Sequence, residues 1–335
     1  MNDLPPQSST WSQLHGNAFL GCRVLITGGA GFIGSHLAAA LKSLGASVVV
    51  LDDLSGGSLE NIQVVEPDEF VHGSILDRQA LSHCMKGSRF VFHLAALGSV
   101  PRSVEEPRLY HEVNSTGTLN VLEAARELTV RRVIFAASSS VYGDNGVPWV
   151  ETMPIRPRSP YAATKAAGEG LLRAFAASYG LDTVSLRYFN IFGPRQNANS
   201  AYAAVIAAFA TAVLRGQPPV IYGDGAQSRD FTYVDNAVQA NLLAARSGKG
   251  LDGEAINVGC GGQISVAELA AQVLKSLGRS DLAPLYAPER TGDLKHSFAD
   301  LRLAKALLGY EPLVSFADGL RETLGWYKST LASKK

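Results

Sequence analysis

A tyrosine and a lysine lie four residues apart in the segment "SPYAATKAAGEG", at Tyr161 and Lys165. If the segment is helical, this spacing puts both side chains on one face and within reach of each other. A lysine ammonium beside a phenol stabilises the phenolate and lowers its pKa, so the tyrosine becomes a usable base near neutral pH. The pair alone is weak evidence, because a lysine that lies along an amphipathic helix has the same spacing.

Three hydroxyls follow an apolar run in the segment "SSSVYGD", at Ser138, Ser139 and Ser140. The run at residues 133–137 predicts a buried strand, and serines at its end either solvate a loop or face a ligand. In parallel sheets the ligand crevice lies outside the carboxyl ends of the strands. We therefore expect the serines and the tyrosine and lysine pair to open onto the same crevice.

A glycine-rich turn precedes both features in "LITGGAGFIGSHL", with Gly28, Gly31 and Gly34 between a predicted strand and a predicted helix. Glycines let the backbone approach a pyrophosphate, whose charge is met by amides and by the dipole at the helix start, although any tight turn favours glycine. The next strand ends in Asp52, at the separation typical of a carboxylate that binds the adenosine ribose. An aspartate would repel a 2'-phosphate, so NAD is favoured over NADP. The neighbouring Asp53 is an equally good candidate for a helix cap.

The elements that must position these residues alternate along the first half of the chain. Strands are predicted in "RVLITG", "SVVVLD", "FVFHLAA", "RVIFAAS" and "TVSLRYF", and helices near residues 32–44, 77–85, 114–127 and from 161. This alternation predicts an α/β fold, a Rossmann-like doubly wound parallel sheet with helices on both faces.

The alternation weakens after residue 190, which predicts a smaller C-terminal α/β substrate domain. The segment "EAINVG" is a candidate for a strand that returns to the first sheet. The predicted division is an N-terminal tail at 1–20, a cofactor domain at 21–189 with part of 234–262, and a substrate domain at 190–233 and 263–330.

The amino-acid composition limits the classes of partner that the protein is expected to bind. Of 335 residues 46% are apolar, and 30 basic residues balance 30 acidic ones without clustering, so neither nucleic acid nor an anionic membrane is expected. The apolar run at 201–214 is shorter than the about 20 residues that span a bilayer, and the start of the chain lacks a signal pattern. Three widely spaced cysteines and scattered histidines fit neither disulfides nor a metal site, which favours a reducing, cytoplasmic location.

The segments "TGGAGFIG", "HLAA", "SSSVYGD", "YAATK" and "LRYFNIFGPRQ" resemble the extended short-chain dehydrogenase/reductase family, in that family's order and over nearly the whole chain. The resemblance implies that Ser138 bonds the reacting oxygen and relays its proton to Tyr161, and that Lys165 also binds the nicotinamide ribose. It also implies a homodimer through two helices per subunit, those from 114 and 161. The implied NAD contacts are Gly28, Gly31, Phe32, Ile33, Asp52, Asp53, Ser74, Ile75, Leu94, Ala95, Ala96, Asn114, Tyr161, Lys165 and Tyr188, of which Ser74 departs from the acidic residue of many relatives.

The second half resembles UDP-hexose 4-epimerases, and "LGSVPRS", "NSAYAAVI" and "GDLKHSFAD" resemble those acting on UDP-GlcNAc and UDP-GalNAc. The small Ser297 stands where members restricted to unacetylated sugars have a tyrosine, which leaves room for an N-acetyl group without requiring one. The implied reaction is reversible oxidation at C4 through a 4-keto sugar, with no net redox change. The implied substrate contacts are Ser138, Ser139, Ser140, Asn190, Ala204, Val205, Tyr222, Arg229, Arg290, Asp293 and Ser297.

Related reactions are separated by the residues beside Ser138. Related 4,6-dehydratases and decarboxylases carry carboxylates where this chain has Ser139 and Ser140, and a hydroxyl cannot replace a carboxyl acid or base. UDP-glucuronate 4-epimerase stays open, because its catalytic residues would be the same. A non-catalytic NAD-binding redox sensor or scaffold would be expected to have lost Tyr161 or Lys165, and this chain keeps both.

Overall fold

The computed structural model of the chain describes residues 7–197, 205–289 and 295–332, with side chains described from residue 10. The strands in these ranges are β1 (Arg23–Thr27), β2 (Ser47–Asp52), β3 (Glu69–His72), β4 (Phe90–His93), β5 (Arg132–Ser138), β6 (Thr183–Tyr188), β7 (Ile191–Phe192), β8 (Val220–Tyr222), β9 (Ser228–Arg229), β10 (Thr232–Tyr233), β11 (Glu254–Val258), β12 (Ile264–Ser265), β13 (Leu285–Ala287) and β14 (His296–Ser297).

The α-helices in the same ranges are α1 (Gln7–His15), α2 (Phe32–Ser43), α3 (Leu59–Val65), α4 (Arg78–Met85), α5 (Val100–Glu105), α6 (Pro107–Tyr110), α7 (Gly117–Glu127), α8 (Pro160–Tyr179), α9 (Val205–Leu214), α10 (Val234–Arg246), α11 (Val266–Ser276), α12 (Arg302–Leu308) and α13 (Phe316–Ala332). A π-helix (His111–Thr116) runs into α7, and a 3-10 helix (Ser139–Tyr142) follows β5. The π-helix thus begins the helix that is predicted at 114–127, and the 3-10 helix follows the strand that is predicted before the serines.

A seven-stranded sheet in the order β11-β6-β5-β4-β1-β2-β3 carries the site, and its strand pairs are parallel. Its central strands are buried on both faces, which explains why they read as nearly continuous apolar runs. The predicted α/β class with a Rossmann-like parallel sheet is confirmed. The short strand β3 was not predicted, because its residues are only partly buried and its apolar signal is weak.

Alternate residues of the strands build two apolar cores, one on each face of the sheet. Ile26 and Val50 face the core that contains α2 and α10, whereas Leu25 and Val49 face the core that contains α4, α7 and α8. The second half of the chain forms a third core around Phe231, in which α9, α11 and α13 pack together. The apolar run that begins at residue 201 contributes α9 to this core from residue 205 onward.

The segment predicted as an N-terminal tail includes a helix, α1. Trp11 and Phe19 are buried against the same core as α2, and the His15 Nε2 lies 2.8 Å from the Gln239 Oε1 on α10. This segment therefore covers one face of the sheet. Of the residues described, none belongs to a helix with the length and apolar character needed to cross a membrane. In the described ranges, His, Cys, Asp and Glu side chains do not gather in threes or more as a metal site would need.

The sheet takes its last strand from the second half of the sequence, because β11 pairs with β6 from Glu254 opposite Val184 to Val258 opposite Tyr188. The two halves of the chain are thus joined through one sheet. The division into two domains and the homodimer through two helices stay predictions.

Candidate active site

The glycine-rich turn between β1 and α2 has a shape that only glycine allows. Gly28 has a φ of +73°, and a Cβ there would lie 2.6 Å from the Ala95 backbone nitrogen. A Cβ on Gly34 would collide with the Gly28 carbonyl oxygen. Gly31 caps α2 without a side chain, so the first amides of the helix receive no side-chain cap. This bare helix start fits the pyrophosphate of a dinucleotide.

A cavity of about 370 Å³ lies over this turn at the carboxyl ends of the strands. Most of the residues predicted to bind NAD line it, namely Gly28, Gly31, Phe32, Ile33, Asp52, Asp53, Ile75, Leu94, Ala95, Ala96, Tyr161, Lys165 and Tyr188. Its wall also includes Ser55, Gly56 and Gly57, after β2, which the sequence reasoning did not single out. The signal that could have identified them in the sequence is the pair Gly56 and Gly57, which closely follows the aspartates predicted to bind the ribose.

The two aspartates after β2 differ in what they bind. The Asp52 carboxylate is buried and accepts the backbone amides of Ala30 at 2.9 Å and Leu54 at 2.8 Å, so it tightens the glycine turn. Burial raises the pKa of Asp52, and these amides oppose that effect. Asp53 is exposed on the cavity wall and accepts the amide of Ser55 at 2.9 Å. Both carboxylates can therefore meet a ribose, and Asp52 also has a structural role.

Two predicted NAD contacts, Ser74 and Asn114, are not on this cavity wall. The Ser74 hydroxyl accepts the Leu76 amide at 3.2 Å. The buried Asn114 side chain exchanges hydrogen bonds with the Leu97 backbone and donates to the Thr164 Oγ1 at 3.1 Å. Asn114 therefore holds the loop after β4 against α8.

Tyr161 stands where two cavities meet, since it lines both the 370 Å³ cavity and a second cavity of about 750 Å³. Its phenol lies close to Ser138 at the end of β5, and hydrogen bonding with this residue lowers the pKa of Tyr161. The Ser138 Oγ in turn accepts hydrogen bonds from the Ser140 Oγ at 2.9 Å and the Ser140 amide at 3.2 Å. The phenol and the strand-end hydroxyls thus form one connected group.

Lys165 is buried one turn along α8 from Tyr161. Its Nζ donates to the Ala136 carbonyl at 2.7 Å and lies 6.0 Å from the centre of the Tyr161 ring. Burial lowers the pKa of Lys165 to about 7, against the opposing charge of Glu169. Burial raises the pKa of Tyr161, and the Ser138 hydrogen bond is what lowers it. The lowering by the lysine that the sequence predicts is not seen among these causes, and the Lys165 ammonium instead binds the Ala136 carbonyl.

A buried polar network behind the serines was not foreseen from the sequence. The Tyr142 hydroxyl donates to the Asn257 Oδ1 at 2.6 Å, and Arg187 stacks over the Tyr142 ring with its Cζ 4.7 Å from the centroid. Arg187 forms two hydrogen bonds to Glu169, at 2.9 and 2.7 Å. The network joins β6, α8 and β11 to the 3-10 helix and so fixes the serines.

The 750 Å³ cavity holds most of the described residues predicted to bind substrate, which are Ser138, Ser139, Ser140, Asn190, Arg229 and Ser297. Val205 and Tyr222 are described but do not line it, and Ala204, Arg290 and Asp293 lie outside the described residues. Sequence reasoning did not identify Trp149, Arg158, Ser159 or Gln196 on its wall. Trp149 and Arg158 come from the loop before α8, where no periodic pattern pointed to them.

Asn190 and Ser297 form one wall of this cavity. The Asn190 Nδ2 donates to the Ser297 Oγ at 3.4 Å and to the Asp230 carbonyl at 3.2 Å. Ser297 is buried, with 4% of its surface exposed, so a larger side chain there would enter the cavity. This part of the wall is therefore small and polar.

Comparison with known proteins gives a consistent result. Residues 24–259 match the family model described as the NAD dependent epimerase/dehydratase family. A UDP-glucose 4-epimerase of Mycolicibacterium smegmatis is 40% identical over 92% of this chain and 99% of its own length. A UDP-N-acetylglucosamine 4-epimerase of Methanobrevibacter ruminantium, solved with UDP-N-acetylmuramic acid, is 42% identical with a TM-score of 0.88, over 93% of this chain and 99% of that one. A UDP-glucuronic acid 4-epimerase of Bacillus cereus, solved with UDP-glucuronic acid and NAD, is 33% identical with a TM-score of 0.85, over 92% and 99%.

Proposed function

The chain belongs to the NAD dependent epimerase/dehydratase family and its cofactor is NAD, and from that premise we propose that it is a 4-epimerase interconverting UDP-GlcNAc and UDP-GalNAc. UDP-glucose and UDP-galactose are smaller and also fit. The observation that carries the proposal is the position of Tyr161, which lines both cavities and lies close enough to Ser138 for this residue to lower the pKa of its phenol. A sugar C4 at this junction would meet a base and a cofactor at once.

The protein groups have separate roles in this reaction. NAD, when bound, supplies reversible hydride acceptance, so C4 can be inverted without net oxidation. Ser138 bonds the 4-oxygen and passes its proton to the Tyr161 phenolate. Arg229, on the cavity wall, offers a guanidinium to the diphosphate, about which the 4-keto sugar turns to present its other face.

The choice of an acetylated sugar as the proposed substrate depends on Ser297. This side chain is small and buried on the wall of a cavity of about 750 Å³, and Asn190 donates to its hydroxyl. The wall leaves space that a tyrosine would fill, and an N-acetyl group has the matching size and polarity. The relative of Methanobrevibacter ruminantium, a UDP-N-acetylglucosamine 4-epimerase, supports this choice.

The proposal is tested with purified protein of measured NAD content and UDP-GalNAc as substrate. We expect UDP-GlcNAc to appear until both sugars reach equilibrium. Tyr161→Phe removes the hydroxyl that takes the proton, so it should abolish turnover while the protein retains NAD. An NAD-loaded preparation that forms no UDP-GlcNAc would refute the acetylated substrate, and a fully active Tyr161→Phe variant would remove the tyrosine from its role.

UDP-glucuronate is a second candidate substrate because of one cationic side chain. Arg158 lines the same cavity and pairs with Asp144 at 3.1 Å, with 57% of its side chain exposed. A guanidinium is the group that binds carboxylates best. Kinetics on UDP-GlcNAc, UDP-glucose and UDP-glucuronate should be run side by side with Arg158→Met. A selective loss on UDP-glucuronate would support the second candidate, and equal values for variant and wild type would exclude this role of Arg158.

A further inference from the structure

Asp230 is a buried carboxylate that neither cavity contains. It follows Arg229 at the end of β9, with 1% of its surface exposed. Its Oδ1 accepts the Cys260 amide at 2.8 Å, and its Oδ2 accepts the amides of Gly261 at 2.9 Å and Ala299 at 3.2 Å. Burial raises the pKa of Asp230 to about 6, and these three amides favour the ionised form. One side chain thus ties together three segments that are distant in sequence.

The backbone of Asp230 binds the cavity wall as well. Its amide donates to the Ser297 carbonyl at 2.8 Å, and its carbonyl accepts from the Asn190 Nδ2 at 3.2 Å. The adjacent Arg229 on β9 and Ser297 on β14 are paired residues of two neighbouring strands. Asp230 is therefore bonded directly to Ser297 and Asn190 and adjoins Arg229, so it touches both the group assigned to the diphosphate and the groups beside the sugar substituent.

We propose that Asp230 is a positioning residue for the UDP-sugar, which clamps Arg229 and Ser297 into one rigid wall without touching the substrate. This inference rests on the proposed function. The reacting group formed by Tyr161 and Ser138 lies on α8 and β5, and the hydrogen bonds of Asp230 do not reach either element. The clamp should therefore act on substrate affinity and leave the chemical step unchanged.

An amide cannot replace this carboxylate. Both carboxylate oxygens accept backbone N–H groups, whereas an asparagine has one acceptor oxygen and an NH₂ that would face an N–H. Gly259 gives a second way to disturb the clamp, because an added Cβ would lie 2.6 Å from the Asp230 Oδ2 and 3.0 Å from the Ala299 Cβ. Gly259→Ala should therefore displace the Asp230 carboxylate while its charge stays the same.

The experiment compares Asp230→Asn and Gly259→Ala with a matched control, Asp182→Asn. Asp182 also accepts a backbone amide, from Leu251 at 2.9 Å, and pairs with Arg132 away from both cavities. The readouts are KM and kcat for UDP-GalNAc, Kd for UDP-GlcNAc by calorimetry, NAD content and Tm. Both clamp variants should raise KM and Kd about 10-fold or more, the size of one lost hydrogen bond to a charged group, with kcat within about 2-fold and NAD retained. The control should lower Tm and leave KM unchanged.

Each outcome decides the matter. Wild-type KM and Kd in Gly259→Ala would overturn the inference, even if Asp230→Asn does not fold. A fall in kcat that matches the rise in KM, or a raised KM in Asp182→Asn, would also overturn it, because a general loss of stability would then explain the data. If the wild-type protein binds UDP-GlcNAc without epimerising it, the proposed function fails, while the Kd comparison still tests the clamp.

Discussion

Replacing Ser138 by alanine removes one oxygen from the centre of the reacting group. The Ser138 hydroxyl lowers the pKa of the Tyr161 phenol, and its Oγ accepts hydrogen bonds from the Ser140 hydroxyl and amide. A hydrogen bond to an ionised group contributes about 1.5–3 kcal/mol, which corresponds to about a 10- to 150-fold loss in kcat. The loss should exceed this range if the relay of the proton itself fails, up to about 10⁴-fold.

The same substitution has a signature in the pH profile. The Ser138 hydrogen bond lowers the pKa of Tyr161, against the larger effect of burial, so its removal raises that pKa. The phenolate is the active base, so the rate increases as the pH rises through the phenol pKa, and the ascending limb of the kcat profile should move to higher pH in the variant. The assay is kcat for UDP-GalNAc over a range of pH at saturating substrate.

A matched control separates this effect from the loss of a helix cap. Ser138 caps the 3-10 helix through the Ser140 amide, and such a cap contributes about 1 kcal/mol to stability. Ser265 caps α11 in a similar way, accepts the Glu268 amide at 3.1 Å and lines neither cavity. Ser265→Ala should lower Tm and leave the pH profile unmoved. A Ser138→Ala variant with wild-type kcat would refute the role of Ser138 in passing the proton to Tyr161. A variant with a lowered kcat whose ascending limb stays at the wild-type pH would also refute it.

Three further predictions concern the glycine turn, the cavity wall and a buried histidine. Gly34→Ala brings a Cβ within 2.8 Å of the Gly29 Cα, so it should cost about 1–3 kcal/mol and lower the NAD content, and full NAD content in the purified variant would contradict the proposed pyrophosphate cradle. Ser297→Tyr fills the cavity wall and should lower kcat/KM for UDP-GlcNAc about 10- to 200-fold more than for UDP-glucose, and equal losses would remove Ser297 from substrate choice. Burial and Arg195 lower the pKa of His36 to about 3, so its neutral ring stabilises the fold above pH 6.5 and this contribution is lost as the pH falls towards 3. The difference in unfolding free energy between wild type and His36→Gln should therefore shrink by about 1.4 kcal/mol per pH unit in that window, measured by urea denaturation, and a constant difference would refute it.

The fold and the cofactor end could be predicted because their signals are local. The turn with Gly28 and Gly34 must approach the backbone closely, and a central strand such as β5 is buried on both faces, so each position restricts its own residue type. The half-buried β3 and the helix α1, whose apolar residues are few, lack such a restriction. Their placement depends on the core that they cover.

The supporting shell of the site could not be predicted, because its partners are distant in sequence. Asp230 accepts amides 30, 31 and 69 residues away, and a backbone amide has no sequence signature. The same holds for Lys165, whose Nζ binds the carbonyl of Ala136, 29 residues before it. Motifs identified many of the groups that line the two cavities, whereas the groups that hold them became visible only when the chain was folded.

Because β11 pairs with β6, the sheet can be completed only late in the synthesis of the chain. A chain released at residue 189 would present β6 as an open edge, with unpaired backbone groups that other chains can join, and the Tyr188 hydroxyl would lack the Asn241 donor at 2.7 Å. Translation must pass residue 258 before the sheet is closed. Cys260 and Gly261, which emerge soon afterwards, then supply two of the three amides that Asp230 accepts. The 750 Å³ cavity is completed later than the sheet, because it also needs Ser297 on its wall and the Ala299 amide on Asp230.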